Sequence, residues 1–69
     1  MNLGQLLETV VYGTRVRLIK FKSADIITIF IMSDTLEYKK SYELVEPHLE
    51  KEVFSIFVTA DGKLCVEIL

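Results

Sequence analysis

The segment VFSIFVTADGKLCVEIL, residues 53–69, gives the clearest indication of the fold, because it has the pattern of a complete β-hairpin. Apolar and more polar residues alternate on both sides of an Asp61-Gly62 pair, and Asp-Gly supplies the positive φ angles of a tight turn. The segment therefore predicts two antiparallel strands, 53–59 and 63–69, joined by a turn. In the first strand Phe54, Ile56 and Val58 would share one face, and in the second strand Leu64, Val66 and Ile68 would share one face.

A second hairpin is predicted upstream, where TRVRLIKFK at 14–22 and IITIFIM at 26–32 flank a short turn. Its first strand carries two basic pairs, Arg15/Arg17 and Lys20/Lys22. In a regular strand the two pairs have opposite parity and lie on opposite faces. An extra residue near Leu18-Ile19, a β-bulge, would instead put all four charges on one face. Both geometries remain open at this point.

The strand at 26–32 is apolar at almost every position, so neither face is reserved for water. Such a strand lies centrally with both faces covered, or its second face meets another chain. We expect a dimer interface to use this strand or the exposed face of the last hairpin. The candidate interface residues are Ile27, Ile29, Ile31, Phe57 and Leu69.

Two short helices complete the pattern. Apolar residues at helical spacing predict a helix over 2–11, with Asn2 as its N-cap and Gly13 beyond its end. Ser41 predicts the start of a second helix that is kinked or restarted at Pro47 and ends near residue 51. Residues 36–40 are expected to form a short strand or an extended linker. The fold prediction is a single α+β domain over 1–69, an antiparallel sheet with helices on one face.

Composition limits the possible functions. The 69 residues are 51% hydrophobic, which is more apolar material than a small domain can bury, and this favours an oligomer or a protein partner. The net charge of −2 argues against strong non-specific binding to nucleic acid. One cysteine and no long apolar run predict a cytoplasmic protein with no disulfide and no membrane segment.

No residue pattern indicates catalysis. His48 and Cys65 are the obvious reactive side chains, but a surface histidine and a small buried hydrophobe are the commoner roles of such residues. No cysteine or histidine cluster has the spacing of a zinc site, and no glycine-rich loop would hold a phosphate. We therefore expect no enzyme activity, no metal and no cofactor.

Two alternatives involve ligands. Tyr12, Arg15, Arg17 and Lys20 would supply stacking and phosphate contacts if an oligomer sequestered a nucleotide signal between its subunits. The basic strand over 15–22 would give weak binding to nucleic acid, with a steep dependence on salt.

The segments MNLGQLLETV, TRVRLI and SYELVEPHLEKEVFSIFVTADGKLCVEI resemble small uncharacterised α+β proteins encoded by phages and mobile elements of Gram-positive bacteria. Those proteins begin with M-x-L-x-x-L-L and end with E-V-x-S-I-x-V-x-x-D-x-x-L-x-V-x-I. The resemblance names no catalytic residue. It implies a phage-type protein that binds, redirects or inhibits a host protein in the host cytoplasm. The leading prediction is therefore a non-enzymatic homodimer that acts through protein–protein interaction.

Overall fold

The structure is a computed structural model that describes residues 1–69, and it contains a four-stranded sheet and two short α-helices. Two single turns of 3₁₀-helix, Leu36–Tyr38 and Glu46–His48, lie on either side of the second helix. The remaining elements are α1 (Leu3–Leu7), β1 (Arg15–Lys20), β2 (Ile26–Ile31), α2 (Tyr42–Val45), β3 (Val53–Val58) and β4 (Leu64–Ile68).

The strand order in the sheet is β2-β1-β4-β3. Each predicted hairpin forms, but the two hairpins meet through a parallel pairing of β1 with β4. The prediction of a purely antiparallel sheet is therefore wrong, and the sheet is mixed. The segment between β2 and β3 carries α2 across one face of the sheet, which is the connection that brings two strands into parallel register. Of the two alternatives for the apolar strand at 26–32, the central position is wrong, because β2 is an edge strand.

The helices cover one face of the sheet, and the core lies between them. Fully buried side chains come from α1 and α2 on one side and from β1, β2 and β4 on the other. The alternation of β1 and β4 explains this, because every second residue points toward the helices. The core consists of Leu3, Leu6, Leu7, Val16, Leu18, Phe30, Met32, Leu36, Val45, Val66 and Ile68.

Helix α1 is shorter than the predicted 2–11. It begins as expected, since the Asn2 side chain accepts from the Gln5 N–H at 2.8 Å and the Gln5 Oε1 accepts from the Asn2 N–H at 3.0 Å. After Leu7 the chain tightens, and the Thr9 N–H bonds to Leu6 O, three residues back. The Thr9 side chain bonds to the same carbonyl at 2.7 Å, which competes with a regular helical turn.

The connection between the hairpins contains two 3₁₀ turns and the short helix α2, separated by non-helical residues such as the extended Lys39. Residues 36–38 form a 3₁₀ turn, so the predicted strand or extended linker at 36–40 is wrong in this part. The predicted interruption at Pro47 is confirmed, because α2 ends at Val45 and a 3₁₀ turn with Pro47 in its first positions follows. None of the helices has the length and apolar content needed to cross a lipid bilayer.

The register shift lies opposite Leu18-Ile19, but the extra residue belongs to β2. Leu18 pairs with Thr28 and Ile19 with Ile26, which leaves Ile27 as the bulged residue. Strand β1 itself is regular, since its parallel pairing with β4 has no break from Val16 to Lys20. The bulged geometry that would gather four basic residues on one face is therefore wrong.

Strand β3 has a bulge of its own. Val53 pairs with Ile68 and Ser55 with Glu67, which leaves Phe54 as the extra residue. The predicted grouping of Phe54 with Ile56 and Val58 therefore does not hold, whereas Leu64, Val66 and Ile68 share the helix-covered face as predicted.

Candidate functional site

The face of the sheet opposite the helices has no layer over it, and we call it the open face. Strand alternation fixes its members, because the residues between the core positions of each strand point to this side. Cross-strand register then places them in rows across the sheet. The members are Arg15, Arg17 and Ile19 on β1, Ile26, Ile29 and Ile31 on β2, Ser55 and Phe57 on β3, and Cys65, Glu67 and the following Leu69 at β4.

Large apolar side chains stand in water on the open face. Their exposed fractions are 46% for Ile29, 57% for Ile31, 45% for Phe57 and 55% for Leu69. Single exposed apolar residues are normal on proteins, but a group of them on one side of a small domain is characteristic of a surface that binds something. The open face therefore has the composition of a contact surface.

Two arginines of β1, Arg15 and Arg17, lie on the open face. Arg17 lies between Ile29 on β2 and Cys65 on β4. It is half-buried, and its Nε is buried without any hydrogen-bond partner. Cys65 is fully buried although no helix covers this side, so neighbouring side chains on the sheet must shield it. The cross-strand neighbours of Cys65 are Arg17 and Phe57, and their stems are the available cover.

Arg15 is held by the turn between β3 and β4. Its Nη2 donates to the backbone oxygen of Asp61 at 2.9 Å. The turn is ordered in its own right, because Thr59 donates its hydroxyl to the Asp61 carboxylate and Lys63 Nζ lies 3.5 Å from the same carboxylate. The Thr59 hydrogen bond holds the pKa of Asp61 below its usual value, and the charge of Lys63 acts in the same direction. Arg15 is therefore positioned by a turn with internal polar contacts.

The open face also carries a negative charge. The Ser55 hydroxyl donates to Glu67 Oε1 at 2.6 Å, from neighbouring positions on β3 and β4. Both residues are half-buried. The face thus combines apolar residues with two arginines and one oriented carboxylate, a mixture found at protein–protein contacts.

Two aromatic rings stack at one end of the sheet. The rings of Phe21, just after β1, and Phe54, the bulged residue of β3, stack with centroids 3.7 Å apart. The bulge moves Phe54 out of the regular alternation and lets it reach Phe21. The pair links the two outer ends of β1 and β3 across β4.

The predicted nucleotide-binding residues are not gathered in one place. Arg15 and Arg17 share the open face, whereas Lys20 has the parity of the helix-covered face. Tyr12 lines a separate cleft of about 620 Å³ beside α1, together with Glu8, Asp34 and Glu37. Carboxylates in that cleft repel a phosphate, so Tyr12 and the arginines do not form one anion site. The predicted contacts to a nucleotide remain a prediction.

The predicted interface residues are mostly brought together. Ile29, Ile31, Phe57 and Leu69 lie on the open face. Ile27 does not join them, because it is the bulged residue and packs half-buried against the core.

The two reactive side chains lie apart in the fold. Cys65 belongs to the open face, whereas His48 is in the 3₁₀ turn that follows α2 in the helix layer. No group of three or more histidine, cysteine or carboxylate side chains has the arrangement of a metal site.

Sequence reasoning missed the polar centre of the face and the exposure of β3. The Ser55–Glu67 contact depends on a cross-strand register, and the buried Arg17 Nε depends on the parallel neighbour β4. Neither leaves a local signal in the sequence. The uncharged run of β3, VFSIFV, was the available signal for its exposure.

No protein-family model, no curated protein and no solved structure matches the chain.

Proposed function

We propose that this protein acts without catalysis, by binding another protein through the open face of its sheet. The observation that carries the proposal is the group of four exposed apolar side chains on a face with no covering layer: Ile29, Ile31, Phe57 and Leu69. Burying them removes apolar surface from water at roughly 25 cal/mol for each Å². The fold is already complete without that burial, so the gain is available for binding.

The arginines give the face its specificity. Arginine and aromatic residues are enriched where binding energy concentrates, and a guanidinium pairs with a carboxylate through two parallel hydrogen bonds. Arg17 has a buried Nε with no partner inside the chain. A partner that offers an acceptor near Arg17 and an apolar surface around it fits this face.

The resemblance to phage and mobile-element proteins supports a host protein as the partner and the host cytoplasm as the place of action. The excess of apolar residues and the size of the chain support a homodimer as the binding unit. A small face favours dimerisation, because four strands at about 4.8 Å spacing and about 20 Å length present roughly 400 Å² in projection. Stable interfaces bury about 800 Å² on each partner, so two faces side by side match that size better than one.

The test compares substitutions on the two sides of the molecule. Ile31→Lys places a charge on the open face, and Leu44→Lys places the same charge on an exposed apolar residue of α2. Immobilised protein is exposed to a lysate of a Gram-positive host, and bound proteins are compared between the variants. We expect a protein that binds the wild type and Leu44→Lys but not Ile31→Lys. Equal binding by all three, or equal loss in both variants, contradicts the proposal.

Single-stranded nucleic acid is the second candidate ligand. Arg15, Arg17 and Phe57 lie on one uncovered sheet face, and such binders combine cations with aromatic stacking platforms. Glu67 on the same face and the net charge of −2 weaken this candidate. Binding should fall steeply with salt and disappear in the double variant Arg15→Ala/Arg17→Ala. No binding at low salt excludes it.

A further inference from the structure

Strand β3 is exposed on both of its faces. Phe57 is exposed on the open face, and Ile56 and Val58 are 42% and 68% exposed on the side of the helices. No residue of β3 is among the fully buried residues of the core, so the helix layer ends before it reaches this strand. Its six residues, VFSIFV, carry no charge. An exposed, uncharged, apolar edge strand is a template for pairing with another strand.

The backbone of β3 has free hydrogen-bonding groups along this edge. The Thr59 N–H donates to Lys63 O at 2.9 Å, so Thr59 faces β4. Directions alternate along a strand, and therefore Phe57 also faces β4 while Ile56 and Val58 turn their N–H and C=O groups outward. No turn or loop supplies a partner for the backbone groups of Ile56 or Val58.

The start of the same edge is closed. The Val53 N–H donates to Met1 O at 3.0 Å, and Asn2 forms a bridge with Glu52. The bulge at Phe54 then interrupts the regular ladder. The free part of the edge is therefore 55–59, and its outward groups belong to Ile56 and Val58.

The opposite edge of the sheet is guarded differently. A groove of about 470 Å³ runs beside β2 and is lined by Ile29, Ile31, Lys39 and Ser41, among others. The segment that contains Lys39 thus lies along the β2 edge. A lysine beside an edge strand is a common way to prevent another strand from pairing with it. Strand β3 has no such neighbour, so the unguarded edge is β3.

We propose that β3 pairs antiparallel with β3 of a second copy of this chain, which joins two four-stranded sheets into one. A second copy fits because the edge is uncharged on both sides and offers the same free groups in both directions, as a two-fold interface requires. The pairing is independent of what the open face binds, but its consequence rests on the proposed function: two open faces become one continuous surface.

The free groups fix the register. If Ile56 lies opposite Val58 of the partner subunit, two such pairs exchange about four hydrogen bonds. The two-fold axis then passes between Phe57 and the partner's Phe57, which form a pair without hydrogen bonds and with Cβ atoms about 5 Å apart. A register centred on Ile56 would need an outward N–H from Phe54, and the bulge at that residue breaks the alternation.

The first experiment removes one outward donor. Val58→Pro deletes an N–H that β4 does not use, and proline is tolerated at such positions of edge strands. Val58→Thr is the control, since it keeps the N–H and the branched shape. At about 100 μM, above the Kd of weaker protein interfaces, light scattering should give twice the chain mass of 7.9 kDa for wild type and Val58→Thr. It should give the single mass for Val58→Pro, with an unchanged circular dichroism spectrum. A monomeric wild type, or a dimeric Val58→Pro, overturns the pairing.

The second experiment tests the register in full-length protein. In a Cys65→Ala background, Phe57→Cys should form a disulfide-linked dimer under mild oxidation, because directly opposed Cβ atoms suit a disulfide. Ser55→Cys is the control, since it lies opposite Thr59 of the partner subunit and should form little disulfide-linked dimer under the same conditions. Equal or better cross-linking of Ser55→Cys overturns the register even if Val58→Pro removes the dimer.

These outcomes separate the pairing from the proposed function. Ile31→Lys lies on the open face of β2, far along the sheet from β3, and should remain a dimer while it loses the captured protein. If the wild type is a dimer and captures nothing through its open face, the proposed function fails and the pairing stands. If Val58→Pro is a monomer and captures as strongly as the wild type, the claim of one continuous surface fails.

Discussion

Replacing Arg17 by methionine should make the protein more stable and a weaker binder. Arg17 is in the middle of the sheet, between Ile29 and Cys65, and its Nε is buried with no acceptor. Methionine keeps an unbranched apolar stem of similar reach over Cys65 and removes the unpaired donor. The change in the free energy of unfolding therefore reports the cost of burying the unpaired Nε–H, because the packing of the side-chain stem is kept.

The magnitude follows from the burial of one polar atom. A buried donor without a partner costs about 1–3 kcal/mol of folding free energy. Some of this is recovered in the wild type through the water-exposed end of the guanidinium, so we expect a gain of about 1 kcal/mol at the low end of that range. For a domain of 60–100 residues, about 1 kcal/mol corresponds to a rise in Tm of about 4–8 °C.

Thermal and urea unfolding, followed by circular dichroism, measure this gain at a fixed protein concentration. Arg17→Lys is the matched control, because lysine keeps the charge and the stem but has neither Nε nor the guanidinium fork. We expect both variants to be at least as stable as the wild type and both to bind the partner more weakly. A loss of more than about 1 kcal/mol in Arg17→Met would contradict the prediction, since that result requires a stabilising partner for Nε.

Four further predictions concern the fold and its turns. Leu18→Ala should cost about 2–5 kcal/mol, because Leu18 is fully buried in a central strand. Urea unfolding should show a clearly lower midpoint, since this loss is a large part of a total stability of about 3–10 kcal/mol. Gly13→Ala should lower Tm by several degrees, because Gly13 has φ +94° with open space around it and the whole cost, about 1 kcal/mol, is backbone strain. Ala24→Gly should raise Tm by a similar amount, because Ala24 has φ 58°, a backbone conformation that glycine adopts more easily. The changes in Tm of Gly13→Ala and Ala24→Gly should therefore have opposite signs, and equal signs would contradict both predictions. The lowered pKa of Asp61 means that its carboxylate stabilises the fold above the unfolded pKa near 3.8, and that this contribution is lost as the pH falls through the folded pKa. In Asp61→Asn the free energy of unfolding, measured by urea titration, should therefore depend less on pH below about pH 4.

Local patterns predicted the elements of the fold better than their assembly. The hairpin at 53–69 follows from alternation around Asp61-Gly62, and Gly62 indeed has φ +84°. The start of α1 follows from the Asn2 cap. The parallel pairing of β1 with β4 joins residues about fifty positions apart, and each strand shows the same one-sided alternation in a parallel as in an antiparallel sheet. No local residue type distinguishes the two arrangements.

The candidate site was also predictable where it depends on local alternation and unpredictable where it depends on the register between strands. Parity in β1 correctly predicted that Lys20 lies on the face opposite Arg15 and Arg17, and Lys22 lies beyond the strand in a turn with φ 77°. Strand β2 is apolar at nearly every position and offers no parity of its own. The extra residue, Ile27, was therefore invisible in the sequence although the register shift occurs opposite Leu18-Ile19. The group of Ile29, Ile31, Phe57 and Leu69 was foreseeable because these residues alternate with core positions.

The apolar composition of the chain has a physical consequence for how stability and binding are divided. The sequence is 51% hydrophobic, yet only 12 of 69 residues are buried. Much of the surplus lies on the open face and on β3, and neither contributes a fully buried residue to the core beneath the helices. Polar substitutions there should change association by much more than they change the free energy of unfolding of the monomer. A core substitution such as Leu18→Ala should instead change the free energy of unfolding more than association. Measuring both quantities for both kinds of variant therefore distinguishes a binding surface from a poorly packed fold.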